Sequence, residues 1–331
     1  MNEEQLDELD IRITPPPLAD PVFSKLFQNA EVSGIAMKEL LNATLEDSRN
    51  VPIGNIISLM PQSLHSDASE RAYRTDVEAV TVNGEAVIME VQLSRFASTI
   101  ERTLLYSGQA LATRARIGAT LKDVIVEMPR VIMLNILDFD LRANGVNFHQ
   151  VAKLTYREEP RERATDKFEI HNLELKKFRQ TEPDLSKPLH CWLTAVCRAQ
   201  DEKKSLKEVV DMDATLQEYY KSNPGFAQFI DRHDRVSAEP EVRRDYRRWE
   251  YEQMLNALEK RRIVAEGKAE GKTERDMEHA LNAFKDGSID PALVVKLLKI
   301  QGIPDETIAE AQKQVQAERS RQAKQRSDRE R

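Results

Sequence analysis

The stretch from Tyr73 to Leu93, YRTDVEAVTVNGEAVIMEVQL, constrains the fold of this chain most. Its apolar residues and the Asn-Gly pair near its middle predict two short strands joined by a turn. Asp76 lies on the first predicted strand, and Glu90 and Gln92 lie on the second. Burying a carboxylate in an apolar strand is costly unless the carboxylate is paired or holds a cation. We therefore expect a functional site at this hairpin.

The length of the turn decides whether the two acids share a face of the sheet. A two-residue turn places Asp76 opposite Val91, so that its side chain lies on the face away from Glu90. A three-residue loop, 82–84, with a left-handed glycine in a bulge places Asp76 directly opposite Glu90. A shared site requires the second arrangement, so we predict a bulged hairpin or an equivalent bulge elsewhere in the pair. The alternative is an exposed hairpin edge with solvated acids.

Two carboxylates on one face of a hairpin suit a divalent cation. Mg²⁺ prefers oxygen ligands and keeps several waters, so one or two carboxylates and a backbone carbonyl are enough to bind it. A bound metal ion activates water and stabilises charge on a phosphate undergoing cleavage. The hairpin therefore favours metal-dependent phosphodiester cleavage.

Composition limits the partners and the location of the chain. The net charge of its 331 residues is −7, so the molecule as a whole is not attracted to nucleic acid or to an anionic membrane, and any contact with DNA needs a local basic patch. Residues 94–130 carry six basic and three acidic side chains. The sequence shows neither a secretory signal nor a segment of ~20 apolar residues. We expect a cytoplasmic protein with no membrane association.

The order of predicted elements indicates an α/β fold with a central sheet flanked by helices. The apolar run 131–137 is typical of a strand buried on both faces. Cys191 and Cys197 lie in an apolar segment and are expected to be buried free thiols. Helices are predicted at 20–27, 35–45, 94–118 and 189–199, and strands at 53–60, within 73–93, and at 131–137, 147–156 and 167–175.

Several segments resemble the Rpn family of recombination-promoting nucleases and transposases, within the PD-(D/E)XK nuclease superfamily. The similarity runs from about residue 18 to 310, and the order of helix, three strands, helix and strand also resembles the superfamily core. It implies a restriction-endonuclease-like αβββαβ core with a mixed sheet, Mg²⁺-dependent DNA endonuclease activity with Mn²⁺ as a substitute, and a role in recombination or mobile elements. The matching segments are DPVFSKLF (20–27), TDVEA (75–79), IMEVQ (88–92), ERTLLYSGQAL (101–111), RVIMLNILDF (130–139) and DKFEIHNLELKKF (166–178).

The resemblance also implies roles for the hairpin residues. Asp76 and Glu90 correspond to the metal ligands, with the Val91 carbonyl nearby, and Gln92 completes the catalytic set. The chain has Thr75 where the general PD-(D/E)XK superfamily pattern has proline, a minor departure.

Gln92 is the more consequential departure, because it occupies the position of the usual catalytic lysine. A neutral amide orients water but does not stabilise an oxyanion as an ammonium group does. Three outcomes follow: Gln92 suffices, Lys25 or Arg102 supplies the cation, or activity is weak. A non-catalytic DNA-binding or assembly protein on a degenerate nuclease fold is the alternative function.

Three side chains are candidates for DNA binding. Arg102 and Tyr106 lie four apart on the helix after the hairpin, so they point the same way, and we expect them to contact phosphate. The alternative is an arginine stacked on a tyrosine at the surface. Lys25 is the third candidate.

Beyond residue 205 the pattern predicts only helices, at 205–221, 225–233, 240–286, 291–300 and 304–317. We expect a mobile acidic arm (1–17), a nuclease domain (18–200), a helical extension (201–272), a small helical unit (273–317) and a charged tail (318–331). The last helix of the small unit begins with an acidic run that suits a major groove poorly, so homodimerisation through the C-terminal helices is favoured over a helix-turn-helix DNA reader. The sequence GKAEGKT (267–273) lacks phosphate-loop spacing, so no nucleotide cofactor is expected.

Overall fold

The structure is a computed structural model that describes residues 14–27, 29–48, 51–64, 73–94, 99–113, 128–285 and 290–329. Most of the predicted acidic arm and residues 65–72 of the predicted loop before the hairpin lie outside the described residues. The chain forms two compact units, residues 1–250 and 251–331.

Within the described residues, a six-stranded mixed sheet is the centre of the first unit, with strand order β1-β2-β3-β4-β6-β5. The pairs β1–β2, β2–β3 and β5–β6 are antiparallel, and β3–β4 and β4–β6 are parallel. This mixed sheet flanked by helices confirms the predicted α/β class. The strands are β1 (Ile56–Leu64), β2 (Tyr73–Thr81), β3 (Ala86–Gln92), β4 (Val131–Leu137), β5 (His149–Lys153) and β6 (Phe168–Glu174).

Helices precede, interrupt and follow the strands. The first ones begin with a proline or a capping side chain: Pro21 lies in the first turn of α1, and Asn29 accepts a hydrogen bond from the Val32 N–H at the start of α2. The described helices are α1 (Asp20–Leu26), α2 (Ala30–Leu45), α3 (Thr99–Thr113), α4 (Leu175–Phe178), α5 (Pro188–Asp201), α6 (Leu206–Asp211), α7 (Ala214–Ser222), α8 (Pro224–Ala238), α9 (Pro240–Lys285), α10 (Pro291–Ile300) and α11 (Asp305–Arg329).

The sheet is buried on both faces, as the unbroken apolar run of β4 predicts. On one face Val87, Met89, Ile132 and Leu134 join a core that includes residues of α1, α2, α5, α6 and α8. On the other face the side chains of β3 and β4 pack against Tyr106 and Ala110 of α3. Successive strand residues point to opposite faces, so both layers depend on continuous apolar strands.

β1 and α11 extend beyond their predicted bounds. β1 runs on through Pro61 to Leu64, where a loop was expected, and the ladder with β2 shifts register between Met60 and Gln62. β1 is an edge strand, a position that tolerates proline. α11 continues to Arg329 through the predicted charged tail, because alanine, glutamine, glutamate and arginine are strong helix formers.

The helices after residue 205 belong to two different cores. Val209, Phe226 and Tyr246 lie in the same core as the sheet, so α6, α8 and the start of α9 complete the first unit. In the second unit, the end of α9 packs with α10 and α11 around Phe284, Leu298 and neighbouring apolar residues. None of the described helices has the length and apolarity required to cross a membrane.

Candidate active site

The hairpin between β2 and β3 has the predicted bulged register. Val77 pairs with Met89 and Val80 with Ala86, which places Asp76 opposite Glu90. The Thr81 N–H donates to the Glu85 carbonyl (3.0 Å), which closes a three-residue loop at 82–84. Gly84 in this loop has φ +77°, a left-handed value that suits glycine. The register predicted from the turn is therefore confirmed.

The alternation of side chains places both acids on the α3 face of the sheet. Val77 and Met89 point into the core on the opposite face, and Ile88 belongs to the α3 layer. Asp76 and Glu90, each one residue away along its strand, therefore point toward α3. The two strands bring their acids to one side, as a shared site requires.

Hydrogen bonds hold the two carboxylates between the strands. Asp76 donates its N–H to Oε1 of Glu90 (3.1 Å), and Val91 donates its N–H to Oδ2 of Asp76 (2.6 Å). These side-chain bonds begin where the described backbone ladder ends, at Val77 and Met89. Each carboxylate therefore replaces a ladder acceptor and is fixed in position by the backbone of the facing strand.

The electrostatics of the pair are unfavourable in the absence of a cation. Desolvation raises the pKa of Glu90, which is 2% exposed, and the nearby Asp76 charge raises it further. Desolvation also raises the pKa of Asp76, and the hydrogen bond from Val91 only partly opposes the rise. Two close carboxylates in a poorly solvated site resist simultaneous ionisation. A bound cation would relieve this cost.

Arg102 is a basic side chain that the structure brings to the acids. Its Nη2 lies 3.3 Å from Oε2 of Glu90 and donates to the Tyr106 hydroxyl at 3.2 Å. The guanidinium carbon of Arg102 lies 5.6 Å from the centre of the Tyr106 ring, so the arginine–tyrosine stack considered above is present, although Tyr106 itself is only 5% exposed and packs in the α3 layer. Tyr106 holds Arg102 against Glu90. The contact of Arg102 and Tyr106 with phosphate stays a prediction.

Lys25, the other cation considered for the site, is engaged elsewhere. Its ammonium lies 3.4 Å from Glu239 and 3.6 Å from Glu241, in half-exposed ion pairs at the ends of α8 and α9. Of the two candidates, Arg102 therefore lies at the acids. A role for Lys25 in DNA binding stays a prediction.

Gln92 lies on the same strand face as Glu90 and is buried. Its Oε1 accepts a hydrogen bond from the Thr99 hydroxyl at the start of α3 (3.0 Å). Nε2 of the same amide is a donor of the kind that a substrate or water can accept. Gln92 is thus oriented by α3, while its catalytic role stays a prediction.

The sequence analysis did not identify Asp20 as a member of this cluster. Its charge acts on Asp76, Glu90 and Arg102, and its own pKa is raised chiefly by desolvation, although the residue has an exposed surface. Asp20 is the first residue of the segment DPVFSKLF, which was predicted only as a helix. The cap is Ala19, and Asp20 is the first residue of α1.

A buried polar network beside the acids also escaped sequence analysis. Asn135 lies on β4, where it pairs with Glu90 of β3 on one side and with Asn172 of β6 on the other. It is fully buried and donates to Thr103 of α3 (3.2 Å) and to Asn172 (2.8 Å). An asparagine within the apolar run VIMLNIL was the available signal. The network ties α3 to the sheet and so fixes the helix that carries Arg102 and Thr99.

The chemistry of the donors suits a hard divalent cation. Asp76 and Glu90 offer carboxylate oxygens, the ligands that Mg²⁺ prefers, and water completes such sites. Among the described residues, no group of three or more histidine, cysteine, aspartate or glutamate side chains is arranged to hold a metal. A site here would therefore rest on the two carboxylates, with the Val91 carbonyl as the predicted third oxygen.

Comparison with protein families supports the sequence resemblance. A family described as PD-(D/E)XK nuclease family transposase matches residues 17–259, which include the sheet, the hairpin acids and α1 to α8. Searches against curated proteins and solved structures gave no match. The predicted relationship to the PD-(D/E)XK nucleases is confirmed.

Proposed function

We propose that this chain, which belongs to the PD-(D/E)XK nuclease family transposases, is a metal-dependent DNA endonuclease that uses Mg²⁺, with Mn²⁺ as a substitute. The observation that carries the proposal is the pairing of Asp76 with Glu90 on one face of the hairpin, held by backbone N–H groups and poorly compensated by positive charge. A divalent cation at these oxygens would supply Lewis-acid polarisation of the phosphate and activation of water.

The protein's own groups complete the reaction site. Arg102 faces the cleft from α3 with a half-exposed guanidinium, which can also reach a phosphate oxygen and stabilise its developing charge. Gln92 orients the attacking water through its amide hydrogens. Tyr106 and Thr99 act as positioning residues, because they hold Arg102 and Gln92 respectively.

The family description also supports the biological setting of the proposal. We place the activity in DNA recombination or the movement of mobile elements, with DNA as substrate and a homodimer formed through the C-terminal helices. The alternative, a DNA-binding or assembly protein without catalysis, rests on one specific observation: Gln92 occupies the position of the usual lysine.

Cleavage of supercoiled plasmid in Mg²⁺ or Mn²⁺ tests the proposal. We expect nicking by the wild type, and a loss of at least about 100-fold in Asp76→Asn and Glu90→Gln, since each removes charge that holds the cation. Glu78→Gln, a matched change at a buried acid on β2, should keep the activity. Equal residual nicking by wild type and both site variants would instead support the non-catalytic alternative.

A further inference from the structure

A cavity lies on the same face of the sheet as the acids, at the start of α3. Its volume is about 700 Å³, and it lies where the parallel strands β4 and β6 end, next to the start of α3. Ligands of open α/β sheets bind outside the carboxyl ends of the strands. Its polar lining includes Thr99, Asn172 and Gln150, and its apolar lining includes Ile100, Leu141 and Val146.

A row of paired polar residues joins this cavity to the acids. Glu90 pairs across the sheet with Asn135, Asn135 pairs with Asn172, and Asn172 pairs with Gln150. Neighbouring strands are about 4.8 Å apart, so Asn172 lies about 10 Å from Glu90 along the sheet. Thr99 belongs to both places, since it lines the cavity and donates to Gln92. A DNA strand with a phosphate at Glu90 would place a neighbouring nucleotide at the cavity.

Asn172 presents a hydrogen-bond donor to the cavity. The residue is 6% exposed, and its Oδ1 accepts from Asn135, which leaves Nδ2 with no hydrogen bond to another described residue. A buried donor that lines a cavity is suited to a ligand acceptor, because an unmade bond there is costly. Nucleobases carry such acceptors on their edges.

The rest of the lining suits a base and its phosphate. Ile100 and Val146 are 39% and 88% exposed, and they offer apolar surface to the face of a base. Arg142 is exposed and forms no ion pair with another described residue, so it is available to a backbone phosphate. Glu101 also lines the cavity, and its carboxylate can accept from an exocyclic amino group.

We propose that this cavity holds an unstacked nucleobase of single-stranded DNA, from a nucleotide that flanks the phosphate at Asp76 and Glu90. The inference rests on the proposed nuclease function and names the substrate as DNA with unpaired nucleotides. A base inside a duplex is not accessible to such a cavity without being extruded from the stack.

Binding of a short single-stranded oligonucleotide in EDTA tests the proposal apart from cleavage. We expect Ala152→Phe, which fills the cavity from the exposed side of β5, to weaken binding about ten-fold, the scale for losing one base contact. Ala164→Phe, the same change at an exposed position outside the lining, should bind as the wild type does. The wild type should also prefer the single strand over a duplex of equal length.

Asn172→Asp provides a second variant that keeps the acceptor for Asn135 and removes the donor to the base. It should also weaken binding of the single strand, with its folding checked by thermal melting. Wild-type binding by both Ala152→Phe and Asn172→Asp would overturn the cavity proposal even if Asp76 and Glu90 prove essential for cleavage. Weakened binding by both variants in a protein that cuts no DNA would support the cavity and refute the nuclease.

Discussion

At the scale of single residues, the site holds two carboxylates close together, and hydrogen bonds from the backbone prevent them from moving apart. Asp76 and Glu90 accept hydrogen bonds from the facing strands, so their carboxylates stay close at the expense of their solvation. The pKa values of both are raised by desolvation. Such perturbed acids in one cluster are typical of functional sites.

The raised pKa of Glu90 predicts a stability gain for Glu90→Gln when metal is absent. A carboxyl whose pKa is higher in the folded state loses stability as pH rises from its unfolded pKa through its folded pKa, whereas the amide does not titrate. In EDTA, we expect the variant to be more stable than the wild type by about 2 kcal/mol at pH 8, with the difference vanishing near pH 4. Urea denaturation at several pH values measures it.

Adding Mg²⁺ should reverse that order, because a ligand that binds only the folded wild type stabilises it by mass action. A Glu90→Gln protein less stable than the wild type at pH 8 in EDTA would show that the carboxylate is not strained in the folded state. Glu78→Gln controls for removal of a buried acid on the neighbouring strand.

Arg102 should affect cleavage and metal binding differently. Its guanidinium lies 3.3 Å from Glu90 and offsets only part of the charge there, and it is predicted to stabilise charge on the phosphate during cleavage. Arg102→Gln should therefore lower the cleavage rate about 100-fold while leaving Mn²⁺ affinity equal or higher. Arg102→Lys should recover part of the rate. A parallel loss of cleavage and Mn²⁺ binding in Arg102→Gln would assign the residue to the metal site instead.

At the scale of elements, α8 packs closely on α2 in the core of the first unit. Gly225 is the second residue of α8, and a Cβ there would lie 2.7 Å from the Ile35 carbonyl oxygen and 2.6 Å from Cδ of Glu39. The neighbouring Phe226 N–H donates to the Glu39 carboxylate at 3.1 Å. The absence of a side chain at Gly225 therefore lets the two helices approach.

This contact predicts opposite effects for two glycine substitutions. Gly225→Ala should destabilise the first unit by about 1–3 kcal/mol, because the clash involves backbone that cannot yield easily. Gly271→Ala, in open space within α9, should stabilise its helix by about 0.5–1 kcal/mol through helix propensity alone. Thermal and urea unfolding of both variants measure the signs. Equal effects of the two changes would contradict the packing account.

The elements also show what the sequence could predict. The hairpin register was predicted from the requirement that Asp76 and Glu90 share a face, because the alternation of strand residues then demands a three-residue loop. β4 was recognisable because a strand buried on both faces is apolar throughout. β1 was predicted too short, since the tolerance of an edge strand for Pro61 depends on its place in the sheet.

Tertiary contacts explain what sequence analysis missed at the site. Asp20 comes from a helix more than fifty positions before Asp76, and only the folded chain brings its charge to the acids. Asn135 and Asn172 became meaningful once the strand order placed them beside Glu90. Lys25 and Arg102 were equal candidates until their ion pairs were known.

At the scale of the whole molecule, a net charge of −7 contrasts with a proposed DNA substrate. The cations for DNA must therefore be local, and Arg102 and Arg142 are positioned on the face that carries the acids and the cavity. Because few basic side chains contact phosphate, the affinity for DNA should fall only modestly as the salt concentration rises.

The second unit carries apolar residues on its surface that its own core does not cover. On α10, Val294 and Leu298 face the core, while Leu293, Leu297 and Ile300 are 50%, 44% and 81% exposed. Their spacing places them along one side of the helix. This stripe is our candidate for the predicted homodimer contact.

The dimer prediction is tested by light scattering of the full chain. We expect Leu293→Glu combined with Leu297→Glu to halve the measured mass, because buried charges at the stripe oppose association. A second variant, truncated after Glu250, should also be a monomer. The truncation keeps Val242 and Tyr246, which belong to the core of the first unit. If both variants keep the same number of chains per particle as the wild type, the C-terminal helices are not the dimer contact.

Titration calorimetry with Mn²⁺ tests the central claim, that Asp76 and Glu90 together hold the catalytic cation, most directly. We predict that the wild type and Glu78→Gln bind Mn²⁺ with equal affinity, which rises with pH as the raised carboxyls deprotonate. Asp76→Asn and Glu90→Gln should each bind at least about ten-fold more weakly, since removing a charged ligand weakens the site. Equal Mn²⁺ affinity in all four proteins would contradict the account.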